Sequence, residues 1–138
     1  MTRAALLCVV LLVTSGCGRS VSADQTVRSP TGAILEAGEL GTSHLRVGDC
    51  LRGPIPAEVE ALYGVPCHRA HLAQVFAVGD GTDMCEELID RALGPLASRT
   101  DLPRVDVSAL IVTDGDARVV CIVEFSEPIT EDVLRPLA

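Results

Sequence analysis

Cys50, Cys67, Cys85 and Cys121, with His68 and His71 close behind the second of them, are the side chains here best suited to chemistry. Thiolate and imidazole both ligate zinc, so Cys50, Cys67, His68 and His71 make a conceivable Cys2His2 set. In an oxidising compartment the same four sulfurs would instead form two disulfides. The disulfide reading is preferred, because the two histidines would have to converge with a cysteine across the start of a strand and because the chain opens with an export signal.

Other reactive groups are thinly represented. Ser43, Ser98, Ser108 and Ser126 stand outside any nucleophile-elbow motif. The paired carboxylates Glu86-Glu87 and Asp114/Asp116 read as a solvated helix start and a turn. All 11 basic residues are Arg, so a phosphate-loop lysine, a Ser-Lys pair and a Schiff base are excluded. With no Trp, two Phe and one Tyr, the usual stacking platform for sugars is also missing. No catalytic residue, metal ligand or cofactor is assigned, and the expectation is a protein that is not an enzyme.

The location of these cysteines follows from the first 17 residues. Arg3 gives a positive start, Ala4 to Val13 is continuously apolar, and Thr14-Ser15-Gly16 leads with small residues into Cys17. Such an order is a secretory signal, too short in its apolar part for an ordinary membrane-spanning helix. Small residues directly before a cysteine resemble a bacterial lipobox. On that reading residues 1–16 are a lipoprotein signal peptide and Cys17 becomes the lipidated, palmitate-carrying N-terminus on the extracytoplasmic face of the cell membrane. Two or three acyl chains anchor stably where one does not. Losing Arg3 takes the formal net charge from −8 to −9, which leaves no electrostatic footprint for nucleic acid. The absence of Lys beside abundant Ala, Val, Arg and Gly fits a GC-rich genome such as that of actinobacteria.

The elements that must position the cysteines are short. Residues 17–43, rich in Gly, Ser, Thr and Ala, read as a lipidated end and flexible tether, and residues 44–138 as one α+β domain. His44 to Leu51 alternates as a half-buried strand does, Pro56 to Leu62 suggests a helical turn or two closed by Gly64, and His71 to Val78 is a strand. The one strong helix is capped by Thr82 or Asp83 and carries Cys85, Leu88, Ile89, Ala92, Leu93 and Leu96 on one face, with Gly94-Pro95 weakening or ending it. Val105 to Thr113 and Ala117 to Phe125 form a hairpin about the tight-turn pair Asp114-Gly115. Val119, Cys121, Val123 and Phe125 share a face, so Cys121 looks toward the helix and Cys85 lies on the helix's apolar stripe. A Cys85–Cys121 bond would pin helix to sheet and leave Cys50 for Cys67. The fold expected is a small antiparallel sheet packed by one main helix and stapled by disulfides, each worth roughly 3 to 4 kcal/mol in the chain-entropy model.

Val47-Gly48-Asp49-Cys50, Val65-Pro66-Cys67 with His71 and Val75-Phe76-Ala77 following, a lone Cys85 opening a helix, and Gly115-Asp116-Ala117-Arg118-Val119-Val120-Cys121 together resemble the septum formation domain of actinobacterial envelope proteins. The resemblance runs from about His44 to Phe125 and rests on Gly48, Asp49, His71, Gly115, Asp116 and the four cysteines. It departs at Ala70, where that family usually has proline, at Gln74, where an acid is common, and in lacking a tryptophan before the Gly-Asp turn. It implies a non-enzymatic module that binds an envelope or division protein, with His71 as a buried imidazole ordering the loop after Cys67. The alternative is a wall-acting hydrolase, or a metal- or pH-sensing lipoprotein, using His68 and His71.

Overall fold

In the computed structural model, residues 24–56, 59, 61–81, 83–112 and 117–134 are described. The expected signal segment (residues 1–16), Cys17, Thr82, Gly115 and Asp116 lie outside them. The strands are β1 (Val27–Arg28), β2 (Ile34–Glu36), β3 (Gly38–Gly41), β4 (Cys50–Leu51), β5 (Ala61–Val65), β6 (His71–Gly79), β7 (Val105–Val112) and β8 (Arg118–Ile129), with one helix, α1 (Asp83–Ala97). β1 and β2 pair as a small ribbon, and the other six form an antiparallel sheet in the order β3-β5-β4-β6-β8-β7. The fold is α+β and held by two disulfides, Cys50–Cys67 and Cys85–Cys121.

β8 is the spine, since it pairs with β6 on one side and β7 on the other. Its alternation places Val119, Cys121, Val123 and Phe125 against α1, where Cys85, Ala92 and Leu96 pack. Cys85 fixes the start of the helix, and Leu96 seats its end on Val123, Phe125 and Leu134. The opposite face of β8 is buried as well: Val120 and Ile122 meet Ala73, Val75, Leu110 and Val112 together with Ile34, Leu40, Leu51 and Leu62. The sheet therefore has a core on both faces, the second drawn from every strand of the sheet.

Four expectations change. The tether does not extend through Ser43: β1, β2 and β3 are part of the fold, and Leu40 is fully buried. His44 to Leu51 is not one strand but the end of a 3-10 turn over Thr42–His44, a second turn at Val47-Gly48, and the two residues of β4. Ala61 and Leu62 belong to β5, because tertiary pairing with β3 and β4 outweighs the local helical preference. Finally, α1 continues through Gly94-Pro95 to Ala97, as burial of Leu96 outweighs the hydrogen bond that a proline cannot donate.

Candidate functional site

The turn before β4 gathers most of the motif residues. Gly48 has φ +93°, a conformation that disfavours any side chain, and so reverses the chain ahead of Asp49. Asp49 closes the turn on Arg46: its N–H donates to the Arg46 carbonyl at 3.1 Å and its Oδ2 accepts from the Arg46 N–H at 2.9 Å. The turn is then tied to β6, with Gly48 N–H donating to the Val75 carbonyl at 2.8 Å and Val75 N–H to that of Asp49 at 2.9 Å. Cys50 follows directly and binds Cys67 at the end of β5, their Cα atoms 5.3 Å apart. With both sulfurs in that bond, neither is a thiolate ligand.

Asp49 is only 3% exposed, and its carboxylate needs a cation. Arg28 supplies one in a forked pair, Nη1 to Oδ1 at 2.6 Å and Nη2 to Oδ2 at 3.0 Å, and also donates to Asp24 Oδ2 at 2.7 Å and to the Gly32 carbonyl at 2.7 Å. The hydrogen bonds to Asp49 hold the guanidinium protonated. Burial of Asp24 raises its pKa, but hydrogen bonds from Thr26 and Arg28 outweigh this and bring it to about 2. Arg28 and Asp24 carry the polar interior of the site, yet they sit in the stretch whose composition suggests a tether. The apolar Ile34, Leu35 and Leu40 were the signal that this stretch is folded.

A second polar group lies beneath the C-terminal segment. A register shift between His71 and Ala73 in β6 brings the buried side chains of His71 and Gln74 onto the α1 face. His71 Nδ1 donates to the Arg69 carbonyl at 2.8 Å, fixing the tautomer and leaving Nε2 as an acceptor, and the ring meets Phe125 edge-on at 6.3 Å. Burial lowers the imidazole pKa, opposed by the Arg69 carbonyl and the charge of Asp132. Gln74 Nε2 donates to Asp132 Oδ1 at 2.6 Å. A carboxylate at position 74 would face that of Asp132, whereas the amide can donate to it. His71 Nε2 and Gln74 Oε1 find no partner among the described residues.

Two clefts open beside these groups. One, of about 540 Å³, lies along the Cys50–Cys67 bond and is lined by Arg46, Gly48, Asp49, Cys67, His68 and Asp132, among others. The other, of about 680 Å³, runs between α1 and the C-terminal segment over Phe76, Leu88, Ala92, Leu96, Val133 and Leu134, with Arg91 and Arg99 among its charged lining residues. Arg99 is engaged by Asp101 at 2.5 Å and Glu131 at 2.8 Å. Gly48, Asp49, Cys50, Cys67 and His68 thus share one corner, whereas His71 lines neither cleft. The pairing of His68 with His71 in one reactive centre is not formed: His68 is exposed and His71 is enclosed in the core.

Compared with protein-family models, with curated proteins and with solved structures, the chain matches none.

Proposed function

We propose that this chain is a lipoprotein anchored through Cys17 to the extracytoplasmic face of an actinobacterial cell membrane, resembling septum formation domain proteins and acting by binding another envelope or division protein. The observation that carries this reading is the internal engagement of the motif side chains. Gly48 turns the chain, Asp49 neutralises Arg28, His71 orders the segment after Cys67, and the four cysteines form staples. Groups so occupied hold a scaffold, and the work falls to the surface, where the apolar cleft beside α1 is of a size that receives ligands or side chains.

The test uses the full chain exported in an actinobacterial host, with a photo-crosslinking residue replacing Leu88. The expected result is a discrete covalent adduct with one envelope or division protein, and no product when the purified chain is incubated with peptidoglycan fragments. Turnover of those fragments that disappears in His71→Ala, with the fold retained by circular dichroism, would favour the hydrolase instead.

A further inference from the structure

The two edges of the six-stranded sheet are treated differently. At the β3 edge, Asp24 bridges Leu40 and the Gln25 N–H donates to the Glu39 carbonyl at 2.8 Å, so the first described residues cover it. At the β7 edge no described segment pairs beyond Val105–Val112. The Ser126 N–H donates to the Arg104 carbonyl at 2.9 Å, and the ladder between β7 and β8 keeps this register throughout. By the alternation of an antiparallel ladder, residues 106, 108, 110 and 112 bond inward to β8, while Val105, Val107, Ala109 and Ile111 turn their N–H and C=O groups outward. The side chains of these four residues lie on the α1 side of the sheet. Ala109 is exposed and Ile111 is 59% exposed. An open, apolar strand edge of this length is one that folded proteins ordinarily blunt.

We propose that β7 pairs with β7 of a second copy of this chain, antiparallel about a two-fold axis at Ser108, joining the two sheets edge to edge. The strand is complementary to itself in that register. Val105 faces Ile111 of the second copy and Val107 faces Ala109, so all outward N–H and C=O groups of both edges find partners and only apolar side chains meet on the α1 face. The one charge in the strand, Asp106, falls opposite Leu110 and not opposite its own copy. Such an interface is isologous and closes at two copies, which consumes the edge and prevents open-ended growth. It is independent of the Cys17 anchor and of the cleft beside α1.

The test is sedimentation equilibrium of the full chain in detergent across a wide range of concentration, together with disulfide trapping of Ser108→Cys, the one position that faces its own copy across the axis. The expected results are a reversible dimer and a covalent dimer through residue 108, with Glu86→Cys on the outer face of α1 giving none. Val107→Pro removes only an outward N–H, so it should keep both native disulfides and the circular dichroism spectrum while losing the dimer. A monomer at every concentration, a dimer indifferent to Val107→Pro, or equal trapping at positions 86 and 108 would overturn the proposal. A monomer whose β7 amides become protected only when another envelope protein is added would assign the edge to that protein's strand, and would equally overturn it.

Discussion

Arg28 holds two carboxylates in the interior of the Cys50 corner, and its side chain is only 9% exposed. Removing one partner of a buried ion pair leaves the other charged and unpaired. Arg28→Ala is therefore expected to cost about 3 kcal/mol or more, read as a shift in the urea midpoint at neutral pH. A loss within ~0.5 kcal/mol, the range of ordinary surface substitutions, would contradict the pairing described. His71 gives a pH dependence of definite sign. Burial depresses its pKa below the ordinary 6.5, so as pH falls below that value the unfolded chain takes up the proton before the folded one does. Stability from this group is complete above 6.5 and is lost progressively as pH falls toward the depressed value. Asp24 adds a second acidic limb, its contribution intact above 3.8 and lost as pH falls toward about 2. NMR titration of the folded protein should place His71 below 6.5, and His71→Leu should flatten the upper limb of the stability profile. Titration of His71 at or above 6.5 would refute the assignment.

At the scale of elements, the segment ahead of the Val-Gly-Asp-Cys motif decides whether the sheet is complete. A Cβ placed on Gly38 would lie 2.4 Å from the Gln25 carbonyl oxygen, and one on Gly64 2.8 Å from Ile34 Cδ1. Both glycines are used for close approach, the first allowing the N-terminal segment to cover the β3 edge and the second allowing β2 to lie on β5. Gly38→Ala should lift Asp24–Thr26 from that edge and lower stability by roughly 1–3 kcal/mol, with faster exchange of the Gln25 amide. Unchanged exchange at Gln25 would contradict this. These positions also show what a sequence can and cannot convey. β6, α1 and the hairpin were legible because their apolar periods are long, and the Cys85–Cys121 pairing followed from the faces those periods define. β1 to β3 were not, since strands of two to four residues carry too little period to stand out. Gly38, Gly41 and Ser43 look like linker composition, and Arg28 reveals its role only when its partner Asp49, 21 residues away, is in place. Ala61 and Leu62 read as helical for a related reason, their strand character coming from pairing with β3.

For the whole molecule, two staples and two apolar layers compensate for a core built with no Trp, two Phe and one Tyr. Cys50–Cys67 locks the motif corner to the segment just after β5, and Cys85–Cys121 locks α1 to β8. Disulfides persist in oxidising compartments, and the proposed export and anchoring through Cys17 would give a route to one. The proposed anchoring, with the engaged motif residues behind it, makes this a scaffold displayed at a membrane, and its mature end is the quantity to measure. Intact-mass analysis and non-reducing peptide mapping of the full chain, expressed in an actinobacterial host, test that directly. The account predicts a mature protein beginning at diacylglyceryl-modified Cys17, with Cys50 linked to Cys67 and Cys85 to Cys121. Unmodified Cys17 in a normally processed, membrane-retained protein would contradict it.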